Sequence, residues 1–274
     1  MMEDLANFAR LVDAIRPWIP HLVIVGGWAH RLHRFHPYAT DQEYQPLRTK
    51  DVDVAFSPSA PLKGGLSQAL DEAGFKEELL GEVTPPVIHY RLGDEDAGFF
   101  AEFLTVKKGD GYKRDGKPNL TLFKAGITAQ KLRHLELLLK VPWKVHLAAR
   151  EEIPVQQPVD LLVPNAVSFI LQKILIQKHR DSEKRAQDVL YIHDTLQLFG
   201  ASLEELGSIW ENELKPSMSP KTAKRAVTKA FELFKDVTDD VRTAALIPAD
   251  RNLKPDSVRD AINYGFSEIF GHQA

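Results

Sequence analysis

The chain of 274 residues contains no cysteine, slightly more acidic than basic side chains and no long apolar run. The absence of cysteine excludes disulfides, cysteine-ligated zinc and a thiol nucleophile, and it fits a reducing compartment. The formal net charge of −3 gives no general basic field, so nucleic-acid binding would need local patches. No apolar stretch approaches the roughly 18 residues of a membrane span, and the acidic start is unlike a signal peptide. The composition therefore predicts a soluble, cytoplasmic protein without membrane contact.

Several enzyme signatures are also missing from the sequence. The P-loop glycine–lysine motif, the Rossmann glycine pattern, His-Glu-x-x-His and Gly-x-Ser-x-Gly do not occur. The enzyme classes that depend on these motifs lose support, and other residue patterns must indicate the chemistry.

Hydrophobic periodicity divides the chain into a mixed part and a helical part. In the first part it predicts strands at 21–26, 51–56, 87–92 and 99–106, helices at 3–16, 28–35 and 62–73, and a polar loop at 36–48. From Pro164 onward it predicts helices at 164–179, 183–199, 202–213, 219–235 and 255–270. We expect an α+β fold in which residues 1–160 form a mixed sheet with flanking helices and residues 161–274 form a helical domain.

The most informative motif is a glycine pair followed by two aspartates. Gly26 and Gly27 end an apolar strand and allow a sharp turn into a helix. Asp51 and Asp53 are two residues apart on the next predicted strand, so both carboxylates project from the same face. Such a pair is costly without a cation between the charges, and Mg²⁺ takes oxygen ligands while bridging to phosphates. The pattern favours metal-dependent nucleotidyl transfer.

Glu102 is the candidate for a third metal-binding carboxylate. It lies within the otherwise apolar strand 99–106, where an unpaired carboxylate would be expensive. The alternative is that Glu102 faces solvent or pairs with Arg91 on the neighbouring strand.

These residues resemble the polymerase-β-like nucleotidyltransferase superfamily. The resemblance covers mainly residues 20–106, although the 23 residues between Gly27 and Asp51 exceed the commonest spacing. It implies that Asp51, Asp53 and Glu102 hold Mg²⁺, with Mn²⁺ as an alternative ion, and that they are catalytic. It also implies that Gly26 and Gly27 lie under the phosphates of an NTP, and that Arg48 neutralises them. The extra residues at 36–48 are either a substrate-facing insertion or a flexible bystander.

The helical part is similar to bacterial nucleotidyltransferase-fold proteins related to the AbiEii toxin group. The similarity rests on a proline-led helix that carries Lys173, followed by Arg180, Lys184 and Asp188. It implies that Lys173 contacts the nucleotide phosphates and that Asp188 is a general base. The alternative for Asp188 is a surface ion pair with Lys184, four residues earlier on the same helix.

The resemblance leaves the acceptor open. A toxin-like enzyme would transfer an NMP to tRNA, another RNA or a protein, and would need an antitoxin partner. The motifs are also similar to aminoglycoside nucleotidyltransferases, which modify antibiotics. A third alternative is a non-catalytic nucleotide-binding protein that keeps the same fold.

Two weaker patterns have alternative explanations. His30, His33 and His36 follow helical spacing, but we expect polar helix positions, not a zinc site. The basic connection 107–117 either grips a nucleic-acid backbone or is an ordinary solvated loop.

Overall fold

A computed structural model describes residues 2–80, 87–93, 98–109, 119–149 and 152–271. The chain forms two compact units. Unit 1 comprises Met1–Phe35 and Arg48–Pro164, and unit 2 comprises His36–Leu47 and Asn165–Ala274. Residues 36–47 therefore belong to the helical unit although they interrupt the sequence of unit 1.

Unit 1 alternates helices and strands. Its elements are α1 Met2–Ala14, β1 Val23–Val25, α2 Gly26–Leu32, β2 Asp51–Phe56, α3 Leu66–Glu72, β3 Lys76–Leu80, β4 Val87–Leu92, β5 Phe99–Val106, β6 Thr121–Lys124, β7 Ile127–Leu132, α4 Leu135–Leu138, β8 Trp143–Leu147 and β9 Val159–Val163. Short 3₁₀ turns occupy Arg16–His21 and His33–Phe35.

One mixed sheet organises this unit. Within the described ranges its strands follow the order β3-β4-β5-β2-β1-β9-β8, and β7 pairs with both β5 and β6. The central strand β2 is parallel to β5 and antiparallel to β1, and β4 is antiparallel to β5. This sheet, with the helices beside it and the helical unit that follows, confirms the predicted α+β fold class.

Alternation along β2 and β5 separates a core face from a polar face. Val52, Val54, Ala101 and Phe103 are fully or almost fully buried. Side chains on a strand alternate between faces, so the neighbouring residues of β2 and β5 project from the opposite face. That opposite face carries the carboxylates of the predicted site.

Aromatic rings fill the core between α1, α2 and the sheet. Phe8 of α1 stacks on Trp28 of α2 with ring centroids 4.0 Å apart. Trp28 in turn meets the edge of Phe99 of β5 at 6.0 Å. These contacts fix α2, which begins at Gly26, against the strands that carry the acidic residues.

Some element boundaries differ from the predicted ones. The strand predicted at 21–26 is only Val23–Val25, because a 3₁₀ turn containing Pro20 runs to His21. The helix predicted at 28–35 begins at Gly26 and ends at Leu32. The β6–β7 hairpin and helix α9 were not predicted.

Unit 2 is helical. Its helices are α5 Ala166–Ile176, α6 Ser182–Leu198, α7 Leu203–Ile209, α8 Pro220–Leu233, α9 Asp239–Leu246 and α10 Pro255–Phe270. Four of them begin with a side-chain cap that accepts a hydrogen bond from a backbone N–H of the first turn. The capping residues are Asn165, Asp181, Ser219 and Thr238.

Residues 36–47, here called the strap, contain no helix or strand but are held against unit 2. The backbone N–H and the hydroxyl of Thr40 both donate to the carbonyl of Leu198, at 2.8 and 3.0 Å. The ring of Tyr44 lies 3.8 Å from the guanidinium carbon of Arg251, which donates two hydrogen bonds to the buried carboxylate of Asp194 at 2.8 and 2.9 Å. The strap is thus an integral part of the helical unit.

Across the part of the chain that is described, no helix has the length and apolar character needed to cross a membrane.

Candidate active site

The three predicted carboxylates lie on one face of two adjacent strands. Asp53 of β2 is the register partner of Glu102 of β5, and Asp51 is the partner of Phe100. Register partners in a parallel pair share a face, so the two aspartates and Glu102 project together. Asp51 is exposed and the other two carboxylates are half-buried. The backbone therefore brings the predicted acidic residues together.

Gly26 provides space for one of these carboxylates. It has a φ of +65° and is the first residue of α2. A Cβ at this position would overlap Oδ2 of Asp53 and lie 3.2 Å from its Cγ. Because any side chain would displace the Asp53 carboxylate, glycine is required here for the site as well as for the turn. Gly27 follows as the second residue of α2.

His89 is a site residue that the sequence did not reveal. It is the register partner of Glu102 on β4, and its Nε2 contacts Oε1 of Glu102. Burial favours the neutral imidazole, but the hydrogen bond to Glu102 and the nearby charges of Asp51 and Glu78 outweigh burial and raise the pKa of His89. The signal in the sequence is the predicted β4–β5 hairpin, whose register pairs His89 with Glu102.

The alternative that Glu102 pairs with Arg91 was wrong. Arg91 Nε lies 3.3 Å from a carboxylate oxygen of Glu78 on β3, and Glu102 pairs with His89 instead. The polar face of the sheet therefore extends from the aspartates across β5 and β4 to β3.

The carboxylates suit Mg²⁺ chemically but do not enclose an ion as they stand. Among the described residues, no group of three acidic, histidine or cysteine side chains is arranged to hold a metal. Adjacent strands are about 4.8 Å apart, so the side chains of Asp53 and Glu102 can reach a shared ion by rotation alone. In the structure Glu102 is turned toward His89. The oxygen donors fit a hard divalent cation once Glu102 leaves the imidazole.

Arg48 lies three residues before Asp51 and is held by helix α1. Its Nε and Nη2 donate to the two carboxylate oxygens of Asp4 at 2.7 and 3.2 Å. Burial alone would raise the pKa of Asp4, but the hydrogen bond and charge of Arg48 lower it. Since the Arg48 side chain is still 58% exposed, its cation is oriented by Asp4 and open to solvent.

Lys173 and Asp188 form a buried ion pair inside unit 2. Lys173 Nζ donates to Oδ1 of Asp188 at 2.6 Å, and Arg180 Nε donates to Oδ2 at 3.3 Å. The side chains of Lys173 and Asp188 are only 6% and 2% exposed. The ammonium also lies 5.3 and 4.8 Å from the ring centroids of Phe169 and Tyr191.

This geometry corrects the alternative pairing considered for Asp188. Asp188 pairs with Lys173 and Arg180, whereas the backbone N–H of Lys184 donates to the capping carboxylate of Asp181. Lys173 and Arg180 do not share a helix, because α5 ends at Ile176 and Arg180 is extended. They meet at Asp188 because the chain turns between α5 and α6.

Among the described residues, the three histidines at helical spacing do not form a metal site. The ring of His33 is buried and its Nε2 lies 2.8 Å from the carbonyl oxygen of Pro164. His30 is on α2 with its ring centroid 6.5 Å from that of His33, and His36 begins the strap. In the basic connection, residues 110–118 lie outside the described residues.

A comparison with protein families finds one match that covers most of the chain. The model of a family described as Nucleotidyltransferase matches residues 3–215. This range includes the whole carboxylate face and the Lys173–Asp188 pair. A comparison with curated proteins finds no match.

Proposed function

Because the chain belongs to the nucleotidyltransferase family, we propose that it moves a nucleoside monophosphate from an NTP to an acceptor hydroxyl with the help of Mg²⁺. The observation that carries this proposal is the register of β2 and β5, which pairs Asp53 with Glu102 beside a glycine that leaves room for the Asp53 carboxylate. The proposal follows the polymerase-β-like arrangement, in which three carboxylates serve the metal.

The acidic residues have distinct proposed roles. Asp51 and Asp53 would bind Mg²⁺, and Glu102 would complete the site after turning away from His89. An Mg²⁺ ion held by these residues would supply neutralisation of phosphate charge and polarisation of the phosphoryl group. His89 would hold Glu102 in a defined position while the metal is absent. Its raised pKa favours the protonated imidazolium, which attracts the Glu102 carboxylate.

The proposed nucleotide contacts come from backbone and cations. Gly26 and Gly27 would let the backbone at the start of α2 approach the phosphates. Arg48 would add positive charge from an orientation that Asp4 already fixes, which reduces the entropy lost on binding. Lys173 is proposed as a further phosphate contact and Asp188 as the base. Both roles require the buried pair to open, since the two groups are bonded to each other.

For the acceptor we propose tRNA, another RNA or a protein, as the similarity to the AbiEii group suggests, with an antitoxin as partner and the cytoplasm as location. Such an enzyme would arrest growth when expressed alone. The proposed catalysis comes from positioning and electrostatic stabilisation, which need no covalent intermediate.

The test is transfer of label from each of four α-³²P NTPs to total RNA or total protein in the presence of Mg²⁺ or Mn²⁺. We expect Asp53→Asn to lower transfer at least about 100-fold, because the metal loses a charged ligand. Asp71→Asn is the matched control, since Asp71 is an exposed aspartate that pairs with Lys76 on the surface of unit 1.

Equal labelling by wild type and Asp53→Asn would contradict the proposed catalytic role. Label found only on an added aminoglycoside would replace the acceptor proposed here. Binding of Mg²⁺–NTP in a calorimeter without any transfer would support a non-catalytic nucleotide-binding protein.

A further inference from the structure

Unit 2 contains an open cavity of about 830 Å³ that the proposed transfer reaction does not use. It lies between the turn Trp210–Leu214, the residues that follow that turn, residues 220–228 of α8 and Phe270. Cavities that bind small organic molecules usually measure roughly 300–1,000 Å³. The cavity is therefore large enough for a ligand with two fused rings.

One wall is a single face of α8. Pro220, Ala223, Lys224 and Val227 line the cavity with the spacing i, i+3, i+4 and i+7, which places them along one side of a helix. The polar side chains of this wall are Thr228 and the exposed Lys224, and the other three are apolar. A ligand against this wall would meet apolar surface along its length and one positive charge.

A second wall is aromatic. Phe270 is half-buried and supplies its accessible ring, whereas Trp210 is only 2% exposed and contacts Phe270 edge to face, with ring centroids 5.1 Å apart. Met218 adds a flexible apolar side chain to the same lining. Aromatic faces and edges of this kind favour a flat aromatic ligand over a branched aliphatic one.

The wall carrying Trp210 is shaped by a π-helical turn. The backbone N–H of Lys215 donates to the carbonyl of Trp210, five residues earlier, and this widened turn brings both residues to the cavity. Single π-turns cost stability and are frequent at functional sites. The ammonium of Lys215 is bonded to both carboxylate oxygens of Glu211 at 2.8 and 2.7 Å, so its charge is already balanced. Lys224, on the α8 wall, is then the cation that a ligand anion would contact.

We propose that this cavity binds a small aromatic molecule that carries one anionic group, such as an aromatic carboxylate. The ring system would lie against Val227 and Phe270, and the anion would lie beside Lys224. This inference concerns unit 2 alone and does not depend on nucleotidyl transfer.

The test compares two probes that differ only in charge, 2-naphthoate and 2-naphthamide, by titration calorimetry with the full chain. We expect one equivalent of each to bind, with 2-naphthoate about threefold to fivefold tighter, as a partly exposed ion pair contributes that much. Lys224→Met should reduce naphthoate affinity to that of the amide and leave the amide unchanged. Lys221→Met is the matched control, because Lys221 is an exposed lysine of α8 that does not line the cavity.

A second variant tests the location of the aromatic ring. Val227→Trp should fill the cavity and abolish binding of both probes, with thermal unfolding recorded to confirm that the helical unit is intact. Failure of both probes to bind at millimolar concentration would overturn the proposal. Equal loss of affinity in Lys224→Met and Lys221→Met, or unchanged binding in a folded Val227→Trp variant, would also overturn it.

Discussion

Substitution of Gly26 by alanine tests whether the glycine turn and the metal-binding carboxylate depend on each other. Gly26 has a φ of +65°, and a Cβ there would overlap Oδ2 of Asp53. Alanine would therefore have two separate effects. It would strain the backbone, and it would push the carboxylate away from the position that faces Glu102.

The two effects have different magnitudes. An alanine in the left-handed region costs about 1–2 kcal/mol of stability. To restore ordinary van der Waals contact, the Asp53 carboxylate must move by about 1 Å, and a displacement of that size can cost roughly 100-fold in rate. We therefore expect a modest loss of stability and a much larger loss of NMP transfer in Gly26→Ala.

Gly64→Ala separates these contributions. Gly64 also has a left-handed φ, +86°, but the nearest atom to a Cβ there is Cζ2 of Trp18 at an ordinary 3.7 Å. Urea unfolding should show a similar loss of stability in both variants, whereas transfer and Mg²⁺ affinity should fall only in Gly26→Ala. Wild-type turnover in Gly26→Ala, or an equal loss of turnover in Gly64→Ala, would refute the reasoning.

Two further predictions concern the ion pairs of the proposed site. Asp188→Asn should lower the free energy of unfolding by about 3–5 kcal/mol in urea, because Lys173 stays buried without its anion. Lys173→Met combined with Asp188→Leu should recover most of that loss, and additive losses in the double variant would contradict the pairing. Arg48→Met should lose stability relative to wild type above pH 3.8, the ordinary pKa of Asp4, and the difference should disappear as pH falls through the lowered folded pKa. The sign follows because a depressed carboxyl pKa stabilises the fold only while that carboxyl is ionised, and acid titrations of both proteins monitored by circular dichroism would test it.

The strands of the site could be predicted because their patterns are local. The bounds of β2, β4 and β5 agree with the predicted ones, since alternation and glycine-rich boundaries are visible in the sequence. The glycine pair, the two aspartates and the acidic residue on β5 follow from the same patterns. Their meeting on one face needed only the parallel pairing of β2 with β5.

Contacts that depend on tertiary register could not be predicted in the same way. His89 meets Glu102 because of the register of the β4–β5 hairpin, and Lys173 meets Asp188 across the turn between α5 and α6. Helical spacing within one segment instead suggested the wrong partner, Lys184. Helix α9 was missed because it has only eight residues and buries only three of them, Val241, Ala244 and Ala245.

One attachment of the strap becomes possible only late in synthesis. The backbone N–H of Gln45 donates to a carboxylate oxygen of Asp250, 205 residues later in the chain. At roughly 5–20 residues per second, the ribosome delivers that partner some 10–40 s after the strap itself. All strands of unit 1 have emerged by then, so the sheet can form while the strap is still a loose loop between α2 and β2. The nascent chain can therefore form the carboxylate face before the partner of Gln45 is available.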